Sequence, residues 1–280
     1  MKLTNEEDLG VGDLQVQESA SPPDFDFGDL IREAVNESQK AGKSPVRYLS
    51  LGGDKPRTRT GMAWNPSSLD GCSLKAVYKA VGVRQEQTSV DYDTQFIFDR
   101  GTVMGAWLAS YIRALEGTNG ITDVEAQVID RDEMLVKDEN LSYGGFIDIS
   151  FKKDGKPYLV EVKSKDNETA LNKISSPDPK HSRQLNDYFA MSGVHQGWVV
   201  YMGMIEGGRG QRFSLRSFGT ALSPAMWNKT VGAIQSLDRF RQRPERMPFK
   251  SDNPRFECPG CPFRSKCHAN MTPQQALVSE

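Results

Sequence analysis

Two carboxylates and an ammonium group lie close together in "GGFIDISFKKDGKPYLVEVKSKD", residues 144–166. Glu161 and Lys163 are two residues apart in an alternating run, so in a β-strand their side chains share one face. Asp148 ends the preceding run and reaches that face if the two runs pair across the "KKDGKP" turn. Carboxylate and carbonyl oxygens are ligands of Mg²⁺ and Mn²⁺, so Asp148, Glu161 and the Val162 carbonyl are candidate metal ligands. Lys163 would then orient an attacking water or stabilise charge on a phosphoryl group.

The same residues also fit an ordinary structural interpretation. Asp148 would cap a strand, and Glu161 and Lys163 would form a surface ion pair, because single D…ExK matches are common. Two features favour the site: a pair of glycines precedes the acid, and the next helical segment carries Gln184 and Tyr188 on one face, four residues apart.

In this order, "GGFID", "VEVKSK" and "QLNDY" resemble the G-x-x-D, E-x-K and Q-x-x-x-Y motifs of the RecB-like branch of the PD-(D/E)XK nuclease superfamily. The resemblance implies a restriction-endonuclease-like core, an α/β fold with a mixed central β-sheet flanked by helices. It implies a Mg²⁺- or Mn²⁺-dependent deoxyribonuclease, an exonuclease acting on DNA ends in recombination or repair, alone or beside a helicase or recombination partner. Asp148 and Glu161 would bind the metal, Lys163 would be the catalytic lysine, and Gln184 and Tyr188 would act on the DNA strand.

One position departs from the family pattern. RecB-like members place a His four residues after a Gly on an early helix, where it adds a metal ligand. Here Gly101 is followed at that distance by Gly105. The site then has fewer protein ligands, or Glu116 or Glu125 substitutes, or activity is weakened. The alternative function is a DNA-binding subunit that keeps the fold without the activity.

The four cysteines predict a metal centre. Cys72 stands alone, whereas Cys258, Cys261 and Cys267 form a C-x2-C-x5-C motif. In a chain expected to be cytoplasmic, this spacing favours a metal or cluster over disulfides. Four thiolates bind either tetrahedral Zn²⁺ or an iron–sulfur cluster.

A lone early Cys followed by a C-terminal C-x2-C-x5-C also resembles RecB-like nucleases of CRISPR adaptation and the AddB type. The resemblance implies a 4Fe-4S cluster that joins the N-terminal helix to the C-terminal segment as a structural staple. Structural Zn²⁺, with His268 as a competing ligand, remains the alternative, and so does a zinc-stabilised scaffold whose D…ExK match is accidental.

Hydrophobic periodicity predicts helices, then three strands, then helix, strand, strand and helix. The segments are 29–42, 65–82 and 96–117 for the first helices, 123–130, 141–151 and 157–164 for the strands, then helix 181–193, strands 196–204 and 211–218, and helix 223–242. This order favours an α/β sandwich with a mixed sheet.

Composition fits a soluble protein with 37% hydrophobic residues and no apolar run long enough for a membrane span. Net charge is −2, but residues 31–280 carry 34 Lys and Arg against 29 acids, so the body is mildly basic. We expect an acidic, disordered tail over 1–28, one nuclease domain over 29–271 and a flexible end over 272–280. The chain lacks a GxxxxGK[ST] motif and therefore an ATP-driven motor of that type.

Basic residues are candidate phosphate contacts. Arg183 and Lys165 are favoured because they lie near the proposed site, and the four tryptophans are expected mainly in the core. The remaining basic candidates are Lys55, Arg57, Arg59, Arg239, Arg241, Arg243 and Arg246.

Overall fold

A five-stranded mixed sheet with helices on both faces forms the centre of the computed structural model, as the fold class predicted. The structure describes residues 21–41, 61–69, 71–86, 92–126, 134–165, 168–207, 210–251 and 254–279. Within them the strands are β1 Ile121–Ala126, β2 Met134–Asp138, β3 Tyr143–Ile147, β4 Ile149–Lys153, β5 Lys156–Lys165, β6 Gln196–Gly207 and β7 Gly210–Ala221. The helices are α1 Phe27–Lys40, α2 Ser73–Ala80, α3 Tyr92–Ala114, α4 Glu168–Asn172, α5 Pro179–Ser192, α6 Pro224–Gln242, α7 Pro254–Glu257, α8 Arg264–His268 and α9 Pro273–Val278.

Strand order in the main sheet is β1-β4-β5-β6-β7, and the pairs are antiparallel except β5–β6. The parallel pair needs a crossover, which α4 and α5 supply between β5 and β6. β2 and β3 form a separate antiparallel pair. The central strand β5 is therefore covered on both faces.

Alternation along β5 divides its side chains between two cores. Val160 packs with α1 and α3 in the larger core, whereas Leu159 packs with α5 and residues of β6 in the second. Glu161 and Lys163 follow Leu159 in register, so they face α5 as the alternation predicted.

Local signals in the sequence account for the elements beside this face. Asp154 and Gly155 form the two-residue connection between β4 and β5, both with positive φ, which is the geometry of a type I′ hairpin turn. In α5, the Asp178 side chain accepts a hydrogen bond from the N–H of Lys180, and Gly193 ends the helix in the left-handed region.

The strand predictions differ from the structure in two places. Residues 141–151, expected as one strand, form β3 and β4 in different sheets, and β2 lacks a predicted counterpart. At the end of the expected tail over 1–28, Phe25 packs against the larger core and Phe27 is fully buried. In the predicted flexible end, α9 carries a capping box and a fully buried Ala276, because Ala276 packs in the small core around α2.

Some predictions concern residues that the structure does not describe: the acidic segment 1–20 and the basic residues Lys55, Arg57 and Arg59. Of the predicted tryptophans, Trp64, Trp198 and Trp227 are buried and Trp107 packs against the larger core, as expected. None of the helices in the described ranges combines the length and apolar character that a membrane crossing requires.

Candidate active site

The first acid lies where the chain passes from the small sheet to the main one. Asp148 is the single residue between β3 and β4, and its Oδ2 accepts a hydrogen bond of 2.7 Å from the N–H of Val162 on β5. β4 pairs with β5 only as far as Val160, so the Asp148 carboxylate continues the contact beyond the last strand pair. The acid is thus fixed beside the segment that carries Glu161.

This arrangement also orients the backbone of Val162. The N–H and C=O of one strand residue point to the same edge, and the Val162 N–H points to Asp148. Its carbonyl therefore faces the edge where β4 has ended. We call the point where β4 stops pairing with β5 the fork in the sheet. Adjacent positions around this fork carry the three predicted oxygen donors, which are Asp148, Glu161 and the Val162 carbonyl.

Glu161 and Lys163 form an ion pair that is largely inside the protein. The Glu161 side chain is 2% exposed and that of Lys163 is 25% exposed, and Lys163 Nζ contacts Glu161 Oε1. Burial lowers the pKa of Lys163, but the charges of Glu161 and Asp148 raise it further, so the net shift is upward. Lys163 is therefore held as an ammonium beside Glu161, and the burial of Glu161 distinguishes this contact from an ion pair at the surface.

A hydrogen-bonded chain continues from Lys163 onto α5. Lys163 Nζ donates to Oε1 of Gln184 at 3.2 Å, and Nε2 of Gln184 donates to the hydroxyl of Tyr188 at 3.1 Å. Both α5 residues are buried. The structure thus brings Lys163, Gln184 and Tyr188 together on one face of β5, with Glu161 in the same group.

Gly145 lets the tyrosine approach the strand that leads to the acid. A Cβ at Gly145 would lie 3.1 Å from the Cε1 and hydroxyl of Tyr188 and from Cδ of Pro66. Such contacts are tighter than ordinary packing, so a larger residue would displace Tyr188. Close packing of Tyr188 and Pro66 therefore explains why a glycine occupies the first position of the G-x-x-D motif in this fold.

A histidine that the sequence analysis did not select also lies at this site. Nδ1 of His181, in the first turn of α5, is 2.8 Å from the hydroxyl of Tyr201 on β6. Tyr201 is the register partner of Lys163 in the parallel pair. His181 precedes Gln184 by three residues and so lies on the same helix face, a spacing signal that could have identified it.

The positions considered for an additional metal ligand have other surroundings. Glu116 Oε1 accepts a hydrogen bond from the Val124 N–H, and Glu125 is exposed on β1. Gly105 lies on α3, which packs on β5, and a Cβ there would meet nothing within 4 Å. Space for a larger side chain is therefore present at the position where the family pattern has His.

Arg183, expected as a phosphate contact, makes its contacts inside the protein. Its NH1 donates to Asp187 Oδ2 at 2.8 Å and its NH2 to the Pro66 carbonyl at 2.7 Å. Asp187 is fully buried and also accepts hydrogen bonds from Tyr143 and Thr230. The guanidinium compensates the charge of this buried carboxylate. Its second hydrogen bond, to the Pro66 carbonyl, attaches α5 to a neighbouring segment.

The four cysteines line one cavity, at a distance along the chain from the acid–lysine site. The cavity has a volume of about 260 Å³ and includes Cys72 together with the C-terminal cysteines. The pKa of Cys267 is raised, mainly by burial; Lys250 lowers it, and the other three thiols raise it. The other three thiols are therefore within electrostatic range of Cys267. Cys72 is the N-cap residue that precedes α2, whereas the predicted helix over 65–82 included it.

Hydrogen bonds attach the C-terminal segment to the region around α2. The Tyr78 hydroxyl donates to the Met271 carbonyl at 2.6 Å, the Glu86 N–H to the Pro262 carbonyl at 2.8 Å, and the Leu74 N–H to the Phe249 carbonyl at 3.1 Å. Burial, followed by the charges of nearby thiols, raises the pKa of Tyr78 to about 12. A small apolar core joins the two segments; its buried members are Leu74, Tyr78, Val83, Phe263 and Ala276.

The cavity brings together the donor atoms of a possible metal centre. In the described ranges, no group of three or more His, Cys, Asp and Glu side chains is arranged to hold one metal ion. The cavity is nevertheless lined by four cysteines. Four thiolates are the ligand set of tetrahedral zinc and also of an iron–sulfur cluster.

Comparisons with known proteins give limited matches. No protein-family model matches the chain, and no curated protein sequence matches it. One similar solved structure is titled "Crystal structure of SSO0001", with TM-score 0.38 and 15% identity, covering 88% of this chain and 97% of that one. Another is the exonuclease LHK-Exo in complex with dAMP, with TM-score 0.40 and 14% identity, covering 66% of this chain and 89% of that one. Both likenesses are too weak to assign a family or a function to the chain.

Proposed function

We propose that the chain is a metal-dependent nuclease that hydrolyses phosphodiester bonds of DNA, as an exonuclease in end processing. The observation that carries this proposal is the convergence of Asp148, buried Glu161 and cationic Lys163 at the fork between β4 and β5. A buried carboxylate beside an ammonium and a hydrogen-bonded glutamine is costly to fold, so structural reasons alone account for it poorly.

Asp148, Glu161 and the Val162 carbonyl would hold Mg²⁺ or Mn²⁺, since this is an all-oxygen donor set. When bound, such an ion supplies Lewis-acid polarisation of the phosphodiester. Lys163 contributes a fixed positive charge next to the phosphoryl group as negative charge develops there. Gln184 orients Lys163 through its Oε1, and Tyr188 holds the Gln184 amide in turn.

Cys72, Cys258, Cys261 and Cys267 are proposed to bind a 4Fe-4S cluster with a structural role, and structural Zn²⁺ is the alternative. The position of four cysteines around one cavity supports a metal centre there. The cavity joins α2 to α7 and α8, so a bound cluster would tie together two segments that are remote in sequence.

A second candidate function has one observation in its favour. Gly105 stands where RecB-like nucleases have a metal-binding His. In this second candidate function, the chain would bind DNA as a subunit with weak activity or none. Binding without cleavage by iron-loaded protein would identify this case, whereas a protein with zinc and no DNA affinity would identify a scaffold.

The test is cleavage of end-labelled single- and double-stranded DNA with Mg²⁺ or Mn²⁺ by anaerobically purified protein. We expect Lys163→Ala and chelator each to lower the rate at least about a hundredfold, since each removes stabilisation of developing charge. Lys156→Ala, an exposed lysine at the far end of the same strand, is the matched control and should leave the rate unchanged. Equal activity of wild type and Lys163→Ala would refute the proposed function.

A further inference from the structure

A group of side chains beside Lys163 has no part in the metal site. Tyr201 on β6 is the register partner of Lys163, so in a parallel pair their side chains lie next to each other on one face. The Tyr201 hydroxyl is 2.8 Å from Nδ1 of His181, and Lys165 Nζ lies 5.2 Å from the centre of the Tyr201 ring. His181 and Lys165 are both half-buried.

The hydrogen bonds of this group allow a histidine tautomer that presents a donor. The Tyr201 hydroxyl accepts from the backbone N–H of Asp178 at 2.8 Å, so its own proton can be donated to Nδ1 of His181. Burial raises the pKa of Tyr201, and burial with the charge of Lys163 lowers the pKa of His181 to about 4, so both groups are neutral at pH 7. In the tautomer in which Nδ1 accepts from the phenol, the imidazole proton is on Nε2, where it is a donor.

Three lysines lie within electrostatic range of His181. Lys163, Lys165 and Lys180 each lower its pKa by their charge, whereas Asp178 raises it. Ammonium groups around a neutral hydrogen-bond donor suit an anion with several acceptor oxygens, such as a phosphodiester. The group is continuous with the catalytic face through Lys163.

We propose that His181, oriented by Tyr201, forms with Lys165 a second phosphate subsite, which binds the backbone phosphate next to the one that is cut. The proposal rests on the proposed nuclease function and adds to it a residue that positions the strand. By holding a neighbouring phosphate, the subsite sets which phosphodiester lies beside Lys163. It contributes to binding of the strand rather than to the chemical step.

The experiment measures binding of a fluorescent 20-nucleotide single-stranded oligonucleotide by anisotropy, with Ca²⁺ in place of Mg²⁺ so that cleavage is not required. We expect His181→Leu to weaken binding about tenfold, the range expected for one hydrogen bond to a charged group. His181→Gln should retain most of the affinity, because the glutamine amide can donate from near the position of Nε2. Lys165→Gln should weaken binding about threefold and reduce its salt dependence.

Two matched controls separate a phosphate contact from general damage. His195→Leu changes a half-buried histidine near the other end of β6, and Lys156→Gln changes a lysine near the other end of β5. Both should bind like wild type. Oligonucleotides with one neutral methylphosphonate at successive positions identify the contacted phosphate. At one position, the methylphosphonate should weaken binding by wild type more than binding by His181→Leu.

The outcomes distinguish this proposal from the nuclease function. If His181→Leu and Lys165→Gln bind like wild type, or if the methylphosphonate scan is the same in wild type and His181→Leu, the subsite is refuted whether or not DNA is cleaved. If wild type does not cleave DNA with Mg²⁺ or Mn²⁺ but binding depends on His181 at one phosphate, the subsite stands and the nuclease function fails. Because Lys165 is half-buried at the surface, its variant tests the proposal even if His181→Leu does not fold.

Discussion

The acid–lysine site and the cysteine cavity are built in opposite ways. Glu161 and Lys163 lie on a regular central strand, between well-packed cores, where polar groups are costly. The cysteines lie in short helices and loops, and the apolar core around them is small. The packed cores therefore support the first region, whereas the proposed metal centre would support the second.

This difference leads to opposite expectations for stability. Buried charges reduce the free energy of unfolding relative to apolar residues of similar size, but they are needed for chemistry. Metal binding adds to the free energy of unfolding, because the unfolded chain has no preformed site. Substitutions in the two regions should separate activity from stability.

The largest expected effect is in the cysteine cavity. Cys267→Ser should lose the metal centre and lower Tm by more than about 10 °C, since metal binding is coupled to folding of the segments around α2 and α8. Iron and zinc analysis, visible absorbance and thermal unfolding measure this. Lys75→Ala, which changes a cavity-lining residue that is not a candidate ligand, is the control and should retain the metal. Full metal content in Cys267→Ser would contradict the predicted ligand set, and zinc in wild type would favour the alternative cofactor.

In the acid–lysine site, Glu161→Leu combined with Lys163→Met should abolish cleavage while Tm stays the same or rises. The double variant removes both buried charges, a change that is often neutral or stabilising by about 1–4 kcal/mol. Glu161→Leu alone should lower Tm, since it leaves Lys163 without its buried partner. The comparison of the two regions would be wrong if the double variant lost as much stability as Cys267→Ser.

A smaller effect is expected at Gly105. Gly105→His should raise Mn²⁺-dependent cleavage several-fold, because a Cβ there meets nothing within 4 Å and imidazole is a ligand for such ions. Gly105→Ala controls for the change in helix propensity and should leave the rate unchanged. A lower rate in Gly105→His than in Gly105→Ala would show that the space beside Gly105 accommodates the substrate and not a metal ligand.

The smallest effect concerns the pH dependence of stability at His181. Its pKa falls from 6.5 to about 4 on folding, mainly through burial, so the fold favours the neutral imidazole. This contribution is complete above pH 6.5 and is lost as pH falls through about 4. Between these values, Tm of His181→Gln should decrease less than that of wild type, by a few degrees. Parallel Tm curves for the two proteins would show that His181 is not buried as a neutral group.

Several features of the site follow from the sequence because they depend on local geometry. Alternation placed Glu161 and Lys163 on one face, the Asp-Gly pair predicted the hairpin between β4 and β5, and helical spacing paired Gln184 with Tyr188. The start of the predicted helix 223–242 also depends on a local contact, because the Ser223 side chain caps α6 by accepting a hydrogen bond from the Met226 N–H.

Other features required the tertiary structure, because they depend on contacts between remote segments. The break at Asp148 arises as β3 leaves to pair with β2, and periodicity within residues 141–151 does not reveal that exchange of partners. Arg183 looked available for phosphate in the sequence, yet the fold places it on buried Asp187.

The sequence alone therefore determined which residue types could do chemistry, and on which faces of their own elements they lie, since these follow from strand and helix repeats. Only the tertiary structure decided which faces meet. It brought Tyr201 and His181 beside Lys163, and it brought Cys72 into one cavity with the C-terminal cysteines. Both of these contacts result from packing between distant segments, which no local sequence pattern encodes.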